Sequence, residues 1–145
     1  MEILILGGPA PSFAQWFQNN SSYEARTVPR WAVANAIGAA LARTTCEVNL
    51  YADTERQIAT APDEKFTANI SPAFNRDQAV ETTFRLLKAK ASHKGANVDH
   101  LNMEIIEASE FNMVRGFSTT GKNIRIKAQV KPGLIHGYEK IVQDI

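Results

Sequence analysis

Four consecutive aliphatic residues, Ile3-Leu4-Ile5-Leu6, run into Gly7-Gly8-Pro9-Ala10-Pro11 and then Ser12-Phe13-Ala14-Gln15-Trp16-Phe17. A short apolar run closed by turn residues predicts a strand buried on both faces. The glycine pair permits positive φ and close approach of another group. Pro11 suits the first turn of a helix, where its missing N–H would have no partner anyway. Phe13, Trp16 and Phe17 fall at i, i+3 and i+4, the spacing of one apolar helix face. The expected opening is therefore strand, glycine turn, helix. Free N–H groups and a partial positive charge at such a helix start suit an anion. On the glycines alone, a plain βα turn outweighs a ligand loop.

A polar turn, Asn19-Asn20-Ser21-Ser22, separates this helix from a second short strand over 23–28, which Pro29 stops. From Trp31 to about Arg43 the spacing becomes helical, with Val33, Ala36, Ile37, Ala40 and Leu41 on one face. Gly38 inside that helix costs on the order of 1 kcal/mol relative to Ala, and close approach of another backbone is the expected compensation. Residues 1–43 thus read as a βαβα segment with a right-handed parallel crossover.

From Thr44 the pattern changes. Cys46, Val48, Leu50 and Ala52 alternate with polar neighbours as a half-buried strand, with 57–61 as its hairpin partner and 63–72 as loop. Asn75 and Gln78 have capping-box spacing. The helix that follows shows a stripe of Val80, Phe84, Leu87 and Ala91, and Gly95 is placed to stop it. A strand from Leu101 towards Val114, with a bulge near Ser109, precedes the clearest strand of the chain. In that last strand Ile124, Ile126, Ala128 and Val130 alternate with Arg125, Lys127, Gln129 and Lys131, and Pro132-Gly133 ends it. The fold class expected is α/β plus α+β: a βαβα segment over 1–43, then an antiparallel sheet with one long helix over 44–145.

Composition narrows the function classes. At 145 residues the chain can bury a core without disulfide or metal staples. Sixteen basic against fifteen acidic residues, net +1, argues against nucleic-acid or membrane-surface binding driven by bulk charge. The single Cys46 excludes an intramolecular disulfide. The Ile3–Leu6 run is too short for a signal-peptide core or a membrane span, so a cytoplasmic protein is expected.

Few residues suggest chemistry of their own. Gly116 to Lys122 satisfies G-x-x-x-x-G-K, but Asn123 stands where Ser or Thr should hold Mg²⁺, and a strand follows instead of a helix. We read 118–123 as a polar hairpin turn, with Gly121 supplying positive φ. His93, His100 and His136 lack ligand spacing. Asp53 and Glu55 at a strand exit read as surface charges sooner than as an acid/base pair. Arg125, Lys127 and Lys131 read as a solvated face paired with Glu104 and Glu107. Neither Cys46 nor Ser12 has an activating base nearby in sequence.

Two passages resemble a known family. Leu6-Gly7-Gly8-Pro9-Ala10-Pro11, with the later Val33-Ala34-Asn35-Ala36-Ile37-Gly38-Ala39-Ala40, is similar to the second nucleotide-binding lobe shared by actin, Hsp70 and sugar kinases. Phe111-Asn112-Met113-Val114-Arg115-Gly116-Phe117-Ser118-Thr119-Thr120-Gly121, Asn123-Ile124-Arg125 and Ala52-Asp53-Thr54-Glu55 resemble the C-terminal part of hydantoinase/oxoprolinase A-type proteins. The resemblance implies that residues 1–43 are a piece of an actin-like ATPase lobe. It also implies an ATP-dependent hydrolase of cyclic amides such as hydantoins or 5-oxoproline, in which ATP activates the amide oxygen.

Carried over residue by residue, Gly7, Gly8, Pro9 and Ala10 match the family's adenosine-side loop, and no catalytic or metal-binding residue transfers. The family's acidic, Gly-rich phosphate motif has no counterpart in these residues. The resemblance therefore implies the C-terminal portion of a larger enzyme, inactive alone. ATP and Mg²⁺ would serve the full-length parent and would not bind this chain tightly. The implied partners are the remainder of that polypeptide and a second hydantoinase-type subunit, and the isolated chain is expected to self-associate. The rival reading is a stand-alone protein- or ligand-interaction module without enzymatic activity. A small independent enzyme ranks last, for want of paired catalytic groups.

Overall fold

The opening strand β1 (Glu2–Ile5) pairs in parallel with β2 (Glu24–Thr27), and the helix α1 (Ala10–Asn20) connects them. This is a computed structural model that describes residues 2–138. The chain divides into two compact units, the first running through Ala42 and the second spanning Arg43–His136. Overall it is a mixed α/β protein with a five-stranded antiparallel sheet and one long helix.

In the first unit α1 covers one face of a two-stranded sheet. Its buried residues are Ala10 and Ala14, and it packs on β2, whose Ala25 is buried too. Phe13 and Trp16 are more than half exposed, which corrects the expected aromatic face. Small side chains let the helix sit close to the strands, and the aromatic residues are left on its outer side. The strand expected to be buried on both faces also differs. Ile3, level with Ala25, is half-buried, whereas Leu4, level with the exposed Arg26, is 53% exposed. One helix covers one face, and two strands leave the other face open.

The expected helix from Trp31 begins instead as a 3-10 turn, Trp31–Val33, entered through left-handed Arg30 (φ 56°). It becomes α2 (Ala34–Leu41), in which only Leu41 is buried. A Cβ on Gly38 would meet nothing within 4 Å, so among the described residues no backbone closes on it. This corrects the reason given for that glycine.

The second unit has strand order β5-β4-β3-β7-β6, built from β3 (Glu47–Asp53), β4 (Ile58–Ala61), β5 (Phe66–Asn69), β6 (Met103–Arg115) and β7 (Ser118–Val130). β5 lies where loop was expected, because four residues carry too little alternation to announce a strand. The helix α3 (Arg76–His93) packs on one face. Ala79, Thr83, Leu87 and Ala91 are its buried stripe: Leu87 and Ala91 stand as expected, while Ala79 and Thr83 take the place of Val80 and Phe84, which are half-buried at its margin. They share a core with Val48, Leu50 and Ala52 of β3 and Ile124, Ile126, Ala128 and Val130 of β7. The Thr83 hydroxyl donates to Ala79 O within the helix, which removes the cost of burying it.

Both ends of α3 follow local rules. Asn75 and Gln78 form the reciprocal capping box. At the other end Gly95 (φ +85°) donates to Ser92 O and Ala96 donates to Ala91 O, the bond pair of a Schellman stop. β6 is irregular at Ile105/Glu107 and at Met113/Val114, not near Ser109. Gly116 and Phe117 make the turn to β7, with Gly116 at φ +62°, so the positive-φ residue is not Gly121. Among the described residues no helix is long and apolar enough to cross a membrane.

Candidate functional site

Gly7 turns the chain out of β1 with φ +101°, a conformation in which an L side chain is strained. Its N–H donates to Trp31 O at 2.8 Å, and its carbonyl accepts the Ala10 N–H at 3.0 Å. The Val28 N–H donates to Ile5 O at 3.3 Å and the Trp31 N–H to Val28 O at 3.2 Å. The chain beyond β2 is thereby held against the chain beyond β1, at the carboxyl ends of two parallel strands. That is the edge at which open parallel sheets bind ligands.

Gly7, Gly8 and Pro9 lie on the accessible side of this turn, while Ala10 is fully buried. Ala10 therefore shapes the turn and its side chain offers no surface to a ligand. Among the described residues a Cβ on Gly7 or Gly8 would meet nothing within 4 Å, so the glycines leave a bare backbone platform. Pro9 occupies the N-cap position without a side-chain cap. In the first turn of α1 the Ala10 N–H is bonded to Gly7 and Pro11 has none. Two of the donors that make a helix start attractive to phosphate are thus missing. The platform suits a flat uncharged group better than a phosphate.

The second unit brings together residues far apart in sequence. The Thr54 N–H donates to Lys122 O at 3.0 Å, and the Lys122 N–H donates to the buried Thr54 hydroxyl at 2.7 Å. Asp53 is level with Asn123 across the β3–β7 ladder. Arg115 Nε pairs with Glu55 Oε1 at 3.1 Å. The 52–55 and 111–125 passages are thus one constellation in the half of the β6–β7 hairpin nearer its turn. Its charges satisfy one another: Arg56 N–H donates to Asp53 Oδ1 at 2.9 Å, and Lys122 Nζ meets Glu110 Oε1 at 2.6 Å. Lys122 is therefore a cross-strand ion pair on β7, as its strand context requires, and Asp53 and Glu55 are not poised as an acid/base pair.

The basic face is paired only in part as expected, through Lys131 and Glu104. Lys127 meets Glu47 of β3 at 3.0 Å, Lys131 approaches Glu104 at 3.9 Å, and Arg125 lies over the Tyr51 ring. Glu107 instead accepts a hydrogen bond from the Ser109 hydroxyl at 3.2 Å. Cys46 is buried, and burial pushes its thiol up from the usual range, which makes it a poor nucleophile. Among the described residues no group of three or more His, Cys, Asp or Glu could hold a metal ion. His100 and His136 stack on each other, a contact that nothing in their sequence spacing announced.

No family model, curated protein or solved structure matches this chain.

Proposed function

We propose that the chain supplies the adenosine-side wall of a nucleotide site in an ATP-dependent hydrolase of cyclic amides of the hydantoin or 5-oxoproline type, with the first unit as part of an actin-like ATPase lobe. The observation that carries this reading is the bare Gly7–Gly8 backbone at the carboxyl end of the parallel β1–β2 pair. A purine ring is flat and largely apolar, so it can lie on a backbone that carries no side chain. Gly7, Gly8 and Pro9 would hold it, and the Trp31 carbonyl would keep the turn in shape through its bond to Gly7. ATP, when bound, supplies the phosphoryl group that activates the ring amide. These residues fit its nucleoside and not its phosphates, so the phosphate clamp and Mg²⁺ belong to other parts of the parent enzyme.

A second reading rests on a separate observation. Leu4, Leu6, Phe13 and Trp16 are each more than half exposed in the first unit. Among the described residues both strands of the β1–β2 sheet also have an unpaired edge, a template for further strands. An interaction module would use this surface to dock on another polypeptide, and the remainder of a parent enzyme is one such partner.

Amide NMR of the chain titrated with adenosine tests the first reading. Shifts at Gly7, Gly8 and Trp31 should saturate with a Kd of roughly a millimolar, about 4 kcal/mol. Adding the triphosphate and Mg²⁺ should tighten binding only slightly. The absence of any shift at these three residues would overturn the nucleotide reading. In the enzyme that carries this chain, Gly8→Val should raise KM for ATP in hydantoin- or 5-oxoproline-dependent turnover.

A further inference from the structure

The His100 and His136 imidazoles stack with ring centroids 4.0 Å apart and planes 20° from parallel, and both line a cavity of about 250 Å³ within the second unit. We propose that this cavity binds a small phosphate-type oxyanion, held between the histidine pair and Arg43. Among the described residues every one of its lining that can carry charge is a base, and no carboxylate lines it.

Arg43 is fixed where an anion would need it. Its Nη1 donates to Lys131 O at 3.2 Å and its Nη2 to Leu134 O at 3.0 Å, while its backbone N–H donates to Gly133 O at 2.8 Å. A guanidinium has five N–H donors, so these two side-chain bonds anchor it and leave others for a ligand. The same bonds hold the 131–134 turn near His136. On the other side, a 3-10 turn (Val98–His100) is capped by Asn97, whose Oδ1 accepts the Asp99 N–H at 3.0 Å. That cap sets the position of His100. Thr44 and Asn97 add neutral hydrogen-bonding groups to the lining, and Leu101 and Ile135 contribute apolar surface.

The stack itself discriminates between ligands. Imidazole lone pairs lie in the ring planes, and a metal ion must sit about 2.0–2.1 Å from each ligating nitrogen. Planes this close to parallel and 4.0 Å apart do not converge on one ion. Ring N–H groups donate hydrogen bonds that an anion can accept. A polyoxygen anion also has several acceptors to share between the rings and Arg43. Asp99, one residue before His100, is outside the lining.

Side-chain NMR of the full chain at pH 6.5 tests this with inorganic phosphate. His93, at the end of α3 and outside the cavity, is an internal reference. His100 and His136 should shift together and saturate while His93 stays still. Arg43→Gln should weaken binding about tenfold, the loss of one charge-assisted contact. Because Arg43→Gln also loosens the 131–134 turn, His136→Asn gives an independent check and should weaken binding comparably. Glycerol phosphate in place of inorganic phosphate separates the two sources: an equal or tighter fit assigns an ester, and a preference for the free ion assigns phosphate itself. Shifts that never saturate, equal shifts at His93, or unchanged binding in both variants would overturn the proposal. Since this cavity lies in the second unit, that result would leave the Gly7–Gly8 reading untouched.

Discussion

Gly121 lies directly against the Thr54–Glu55 turn: a Cβ built on it would stand 2.8 Å from the Glu55 backbone nitrogen. No real side chain tolerates that approach, and the atom it meets is backbone, which cannot swing away. The glycine is required by packing between β7 and the exit of β3, and not by a left-handed turn. Gly121→Ala should therefore cost roughly 1–3 kcal/mol. Urea denaturation measures it, and a loss below a few tenths would show that the turn can move aside.

Gly38 should behave in the opposite way. It lies inside α2, with negative φ and, among the described residues, open space where a Cβ would go. Gly38→Ala should stabilise by about 0.5–1 kcal/mol through helix propensity and a less flexible unfolded chain. A thermal melt decides the direction, and a destabilised variant would mean that something in the intact protein packs on this face.

Lys90 Nζ donates to Glu64 Oε1 at 2.5 Å and to Glu47 O at 2.9 Å, tying the last turn of α3 to the segment before β5 and to β3. The hydrogen bond to Glu64 raises the Lys90 pKa, and desolvation only partly opposes it. A raised lysine pKa contributes stability that is fully present below the ordinary value of about 10.4 and is lost as pH rises through the folded value. Urea midpoints followed upwards from about pH 9 should fall in that window more steeply for the native chain than for Lys90→Met. At neutral pH the same variant leaves the Glu64 carboxylate, whose Oε2 is buried without a partner, short of its cation. It should cost about 2–3 kcal/mol.

Lys122 sits in the near-match to a phosphate loop, yet its ammonium is committed to Glu110 on the neighbouring strand. Lys122→Ala should lose less than about 1 kcal/mol, as for other partly exposed ion pairs. It should also leave adenosine binding by the Gly7 turn unchanged. A loss of nucleotide binding in this variant would show that the hairpin belongs to the nucleotide site.

The features legible from the residues alone are local ones. Alternation over 46–52 and 124–130 identified two central strands and their inward faces, because one side of that sheet is covered by a helix and the other is not. Asn75 with Gln78, and Gly95, marked the ends of α3 because caps are satisfied within a few residues of chain. The Gly7 turn was legible because a strand, two glycines and a proline leave the backbone few alternatives.

Tertiary structure decided everything that depends on a partner distant in sequence. Spacing put Phe13, Trp16 and Phe17 on one helix face, but a two-stranded sheet gave α1 only a narrow surface, and Ala10 and Ala14 occupy it. Lys127 found Glu47 across the sheet because β7 lies between β3 and β6, an order that no local pattern specifies. His100 and His136 meet because Arg43 binds the carbonyls of the turn before His136. Periodicity tells which side chains share a face. What stands opposite that face, and whether anything does, is set by how the chain closes on itself.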